Sequence, residues 1–135
     1  MSAGILLVTH EGVGAQLVAV CDVIFKQRMA VVAVVSVPAD LRPEVLGEHA
    51  DLIRNAMLAR DNGEGLLVLT DVYGATPDNL ARYFSTECNA RVISGINLPM
   101  LLRVLNYAHQ SLEQLCETAL SGGINGIQQG IRNDC

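Results

Sequence analysis

The sequence contains no tryptophan, and its aromatic side chains are three tyrosines and two phenylalanines. Platforms on which a base or a flavin ring could stack are scarce, and the core must be built from Val, Leu, Ile and Ala. Basic residues are few as well: 9 Lys and Arg against 14 Asp and Glu leave a net charge of -5. No Lys/Arg run or basic patch stands out, so nucleic acid and anionic membranes are poor partners for this chain. Long apolar runs are also missing. The longest, Met29 to Val35, falls far short of the roughly 20 residues that a membrane-spanning helix needs. No basic stretch precedes the short apolar segment at the N-terminus, which speaks against a secretory signal. The four cysteines, Cys21, Cys88, Cys116 and Cys135, include no close pair at metal-ligand spacing. Cys21 and Cys116 fall on apolar helical faces and read as small reduced core residues, with a redox or metal role as the alternative. These absences describe a soluble cytoplasmic protein, and 135 residues fit one domain, 1–135.

What is present is organised around Ile5-Leu6-Leu7-Val8-Thr9-His10-Glu11-Gly12. A short unbroken apolar run reads as a fully buried parallel strand, here residues 4–9. His10 then stands at the carboxyl edge of the sheet, where open α/β sheets place their ligands. Gly12 and Gly14 open the turn that follows. Leu17, Val18, Cys21, Ile24 and Phe25 recur at helical spacing, and that helix is expected to end near Arg28. Met29 to Val37 reads as a second buried strand closed by Pro38. Pro43 suits a first helical turn, and the helix it opens runs to about Arg60. Asp61 to Gly65 is a turn, and Leu66 to Thr70 a third strand.

The segment Asp71-Val72-Tyr73-Gly74-Ala75-Thr76-Pro77 comes next. Thr76 is expected to cap a helix, with Pro77 as its first residue and Asp78 complementing its dipole. Arg91 to Ile96 reads as a shorter fourth strand near a sheet edge, and Asn97-Leu98-Pro99 starts another helix. Ser111 with Gln114 matches a capping box, so a last helix runs from about Leu112 to Leu120. Gly122-Gly123 is expected to break it. The Gly-rich tail with Ile124, Ile127 and Ile131 carries no pattern that assigns it a structure, and a helical or disordered chain is the plain reading. The alternation of strand and helix implies a doubly wound, mainly parallel α/β sheet with helices on both faces. Right-handed crossovers give the order 2-1-3-4.

In that order the first and third strands are neighbours, and the crevice between their loops brings His10 and Asp71 together. A carboxylate on one imidazole nitrogen fixes the tautomer and leaves the other nitrogen free to act as a nucleophile. Two helix N-termini flank the pair, one with Gly12 and Val13, the other with Gly74, Ala75 and Thr76. Helix N-termini and glycine-rich turns bind anions, phosphate above all. A nucleophilic histidine between two such sites suits a group that forms phosphohistidine. Taken singly, His10 is an ordinary loop histidine and Asp71 a turn former; the pairing across the crevice makes them candidates. His49 is expected on a solvated helix face and His109 at a helix end, neither with a chemical role. There is no metal motif, no P-loop and no complete dinucleotide fingerprint, so neither metal nor nucleotide cofactor is expected.

Three segments also carry a resemblance: Val8-Thr9-His10-Glu11-Gly12, Leu69-Thr70-Asp71-Val72-Tyr73-Gly74-Ala75-Thr76-Pro77 and Gly95-Ile96-Asn97-Leu98-Pro99-Met100-Leu101. Together, in this order and spacing, they resemble the mannose-family IIA component of the bacterial sugar phosphotransferase system. The resemblance implies that His10 accepts a phosphoryl group from the phosphocarrier HPr and passes it to a IIB component. It implies that Asp71 orients His10 and that Thr76 supplies a hydroxyl at the phosphate site. It implies a homodimer too, in which a C-terminal antiparallel strand, roughly residues 124–130, is exchanged between subunits. Glu11 departs from the family pattern, where glycine often follows the histidine. Two other readings accompany this one: a regulatory module that reports phosphorylation state without onward transfer, and a domain binding a flavin or nucleotide in the same crevice.

Overall fold

The protein is seen here as a computed structural model that describes residues 2–40 and 42–130. Four strands, β1 (Gly4–His10), β2 (Val32–Val37), β3 (Leu66–Thr70) and β4 (Ala90–Ser94), form one parallel sheet in the order β2-β1-β3-β4. The expected order is the observed one. Between and after them run α1 (Val13–Phe25), α2 (Pro43–Arg60), α3 (Thr76–Phe84), α4 (Leu98–Asn106) and α5 (Leu112–Asn125), with one 3₁₀ turn at Ser85–Glu87.

Strand alternation divides the core in two. Ile5, Leu7, Leu67 and Leu69 face α1, α4 and α5, where Cys21, Leu101, Val104 and Leu115 are buried. Leu6, Val8, Leu66 and Val68 face α2 and α3, with Ile53, Met57 and Ala81. Both faces of β1 and β3 are thus covered, which is why these strands read as unbroken apolar runs. Cys21 lies in the first of these layers, fully buried, and burial pushes its thiol up. Cys21, Cys88 and Cys116 are free thiols, and Cys135 lies outside the described residues. Among the described residues no helix is long and apolar enough to cross a membrane.

Several boundaries differ from the periodicity. α1 stops at Phe25 rather than Arg28, because Lys26 takes a left-handed conformation (φ 57°) and the Asp22 side chain accepts the Met29 amide at 2.7 Å. That turn holds Met29 to Val31 away from the sheet, and β2 begins only at Val32. β4 covers Ala90–Ser94 instead of Arg91–Ile96, since Gly95 takes a positive φ of 85° and breaks the extended backbone. The largest departure is at the C-terminal end. The Ser111–Gln114 capping box starts α5 as expected, but the helix continues through Gly122 and Gly123 to Asn125. The two glycines are there for close packing: a Cβ at Gly122 would lie 2.8 Å from the Arg103 Cβ, and one at Gly123 2.8 Å from the Met100 Cε. Asn97 ties the junction, capping α4 through the Met100 amide and donating to the Gly123 carbonyl. Ile124 is therefore helical, residues 127–130 form no element within the chain, and Ile131 lies outside the described residues.

Candidate functional site

β1 and β3 pair in parallel with Val8 opposite Thr70, so β1 projects beyond β3 at the carboxyl edge. The residue after Thr70 rises beside Thr9 and His10. Asp71 Oδ2 accepts a hydrogen bond from His10 Nδ1 at 2.8 Å and another from the His10 main-chain N–H at 3.0 Å. Its second oxygen, Oδ1, accepts the Val72 amide at 3.1 Å. The carboxylate is nearly buried (8%) while the imidazole is 29% exposed. This contact sets the tautomer: with an ionised Asp71 as acceptor, Nδ1 carries the proton. Nε2 has no hydrogen-bond partner among the described residues and is not buried. One ring nitrogen is thus held by the protein and the other presented to solvent.

Each working residue is preceded by a buried threonine that ties its strand to the next helix. Thr9 Oγ1 donates to the His10 carbonyl and accepts the Gly14 amide in the first turn of α1, both at 2.9 Å. Thr70 Oγ1 donates to Asp78 Oδ1 at 2.6 Å. Because successive side chains alternate across a strand, a threonine turned into a covering layer leaves its successor on the opposite side. Beyond each strand the chain reverses through a glycine with positive φ, Gly12 (89°) and Gly74 (85°). Side-chain-bearing residues rarely adopt that conformation.

The two turns deliver the helix N-termini that the spacing predicts, with a difference in which amides are free. α3 begins one residue early, at Thr76, and Ala75 rather than Thr76 is its N-cap. The Gly74 amide is taken by Asp78 Oδ2 at 3.1 Å, and the Ala75 amide by the Val72 carbonyl at 3.3 Å. The amides of Gly12, Val13 and Thr76 donate to no acceptor among the described residues. A flat expectation that all five positions offer N–H groups is thus narrowed to three.

Asp78 is the residue whose role sequence reasoning missed. It stands in the first turn of α3, as the dipole argument expects, but not as a free surface acid. It is fully buried, and accepts from Thr70, from Gly74 and from Arg82 Nε at 2.8 Å. The signal was available: Arg82 lies one helical turn along, at the spacing where an acid and a base meet. Burial pushes the Asp78 carboxyl up, but the hydrogen bonds from Thr70, Arg82 and Gly74 together outweigh it and hold the group below its ordinary value. A carboxyl depressed in the folded state stabilises the protein above its unfolded pKa, and this is lost as pH falls through the folded value. Asp78→Asn should therefore lower stability at pH 7, by about 1–3 kcal/mol for lost bonds to a charged acceptor. It should also flatten the decline below about pH 4, near the unfolded carboxyl value. Urea unfolding followed at pH 7 and pH 3 measures both, and parallel curves for the two proteins would contradict it.

The other histidines stand apart. His109 is exposed in the turn after α4. His49 is half-buried rather than solvated, with a buried Nδ1 that has no partner among the described residues. It lies one turn before Ile53 on α2 and so shares its inward face. A cavity of about 710 Å³ between α1 and α4 is lined by Ile24, Phe25, Pro99, Leu102, Arg103, Asn106 and Tyr107 and includes neither His10 nor Asp71. What lies at the crevice is an open edge with a histidine and free amides.

The family model described as the PTS system fructose IIA component matches residues 4–120. Among solved structures, the mannose/sorbose specific IIA subunit of the phosphotransferase system from Enterococcus faecalis is similar with a TM-score of 0.79 and 21% identity, covering 100% of this chain and 99% of that one. The phosphotransferase system component EIIA from Streptococcus agalactiae follows at 0.76 and 23%, covering 94% and 96%. A sigma-54 interaction domain protein from Enterococcus faecalis shares the fold at 0.75 and 13%, covering 93% of each chain. No curated protein matches the sequence. With most of its length matched by the family model, around a crevice that holds a histidine, an aspartate and two helix N-termini, the chain belongs to the mannose-type IIA family of the bacterial sugar phosphotransferase system and is a phosphoryl carrier.

Proposed function

We propose that His10 carries the phosphoryl group, as an Nε2-phosphohistidine received from HPr in the cytoplasm and passed to a IIB component. The observation that supports this most directly is the 2.8 Å contact of Nδ1 with Asp71, which leaves Nε2 as the available nucleophile. The Nε2 lone pair attacks phosphorus as the donor's P–N bond breaks, and the electron pair of that bond returns to the donor imidazole. The Nδ1 proton stays in its bond to Asp71, whose charge offsets the positive charge that develops on the His10 ring. The free amides of Gly12, Val13 and Thr76, with the Thr76 hydroxyl, receive the phosphoryl oxygens. Gly74 and Ala75 shape the turn that presents Thr76. Catalysis is then positioning together with preorganised donors, a reading that requires no metal or nucleotide.

Incubation with labelled phosphoenolpyruvate, enzyme I and HPr tests the reading. The protein should acquire label that is lost in acid and kept in base, as a phosphoramidate behaves. Addition of a cognate IIB chain should discharge it. A protein that acquires no label contradicts the assignment. Label that forms normally but resists every IIB chain favours the regulatory reading.

We further propose that two copies associate through the C-terminal segment. Ile124 and Ile127 are 66% and 76% exposed, and among the described residues no strand pairs with the outer edge of β4. An unpaired edge strand is a template for another chain. Because Ile124 belongs to α5, the exchanged segment would begin at Ile127. In light scattering the full chain should be a dimer and a chain ending at Gly126 a monomer; a monomeric full chain rules the exchange out.

A further inference from the structure

Asp71 works only if its carboxylate stays within hydrogen-bond distance of both the His10 ring and the His10 amide, yet it stands on a turn. Something must hold that turn. The bonds of Asp78 show what does. Oδ1 accepts from Thr70, the residue before Asp71, and Oδ2 accepts from the amide of Gly74, three residues after it. Both bonds come from the segment that carries Asp71, and their acceptor sits on the rigid first turn of α3, with no exposure to solvent.

We propose that Asp78 is a positioning residue for phosphoryl transfer, its buried carboxylate clamping the β3–α3 turn on both sides of Asp71. The inference rests on the reading of His10 as the phosphoryl acceptor. Arg82 completes the clamp. Its Nε supplies the countercharge that a buried carboxylate requires. Its guanidinium also lies 5.0 Å from the Tyr73 ring centroid and so braces the tip of the same turn. The clamp explains as well why the Gly74 amide is withheld from the phosphate site: that N–H fixes the turn, and Thr76 faces the ligand in its place.

A merely structural role would lower stability and leave the imidazole unchanged. A positioning role moves the ring. In full-length protein, ¹⁵N NMR of the His10 side chain should show a single Nδ1–H tautomer in the wild type and a mixture of tautomers in Asp78→Asn. The rate constant for phosphoryl uptake from phosphorylated HPr should fall by about 10- to 100-fold, the scale of a misplacement near 1 Å, while KM changes far less. Thr70→Val, which removes one bond and leaves Arg82 and Gly74 in place, should shift the tautomers in the same direction with a smaller loss of rate. If Asp78→Asn does not fold, Thr70→Val decides the matter on the same two measurements. Wild-type ring signals in the folded variants overturn the proposal, whatever happens to their melting temperatures. Should the wild type take up no phosphoryl group, the functional reading fails, while the tautomer comparison, which needs no donor, still judges Asp78.

Discussion

His10→Ala protein, incubated with phosphoenolpyruvate, enzyme I and HPr, should take up no label. The substitution removes the one imidazole that the crevice presents with an oriented ring, and no neighbouring group replaces it. Thr76 and Thr9 carry hydroxyls near the same edge, but Thr9 is buried with its oxygen committed to His10 and Gly14. Neither is paired with a base that could activate it. His49 lies half-buried on α2 and His109 on the turn after α4, so His49→Ala and His109→Ala should label like the wild type. Stability should barely change in His10→Ala, because the ring is partly exposed and its loss leaves Asp71 with the main-chain N–H groups of His10 and Val72. Mass spectrometry of intact protein reads the result without ambiguity. Label on His10→Ala protein would move the acceptor elsewhere and undo the site as built here.

Asp71→Ala should slow labelling without abolishing it. The nucleophile remains, but the ring loses the acceptor that holds its proton on Nδ1, and the His10 amide loses its partner as well. A fraction of the imidazole then presents the protonated nitrogen to the donor, and the charge that develops on the ring meets no carboxylate. Positioned proton-holding groups of this kind contribute about 100- to 10,000-fold, and the rate of label uptake should drop within that range. Asp71→Asn separates the two contributions, since its amide oxygen can still accept from Nδ1 while the charge is gone; it should lie between the wild type and Asp71→Ala. An Asp71→Ala protein that labels at the wild-type rate would reduce Asp71 to a turn former.

The contrast between Asp71 and Asp78 shows how far local reading reaches. Both are acids near the start of one helix. Asp71 was legible because it ends an apolar strand adjacent to the strand of His10, so that sheet order alone brings the two together. Asp78 looked like an ordinary first-turn acid because, although Gly74 and Arg82 are close in sequence, its donor Thr70 and its burial come only once α3 has packed on the sheet. The same holds for the amides. The turn residues Gly74 and Ala75 announce a phosphate loop by type, yet the loop's own folding consumes both N–H groups.

By itself the sequence determined the four strands, the order 2-1-3-4, the family, and the pair His10 and Asp71. The family came from the resemblance of three segments; the others follow from short-range patterns: unbroken apolar runs, helical spacing, turn residues, and the handedness that parallel crossovers obey. Only the tertiary structure decided which nitrogen of His10 is held, which amides remain free, and that Asp78 is buried beneath the turn. It also carried α5 through Gly122 and Gly123, where helix propensity predicts a break, because those glycines allow α4 to approach. The physical reason is common to the first three. Apolar period and turn chemistry are written in neighbouring residues, whereas the partner of a polar group is chosen when two elements pack and the buried donors and acceptors must all be satisfied at once.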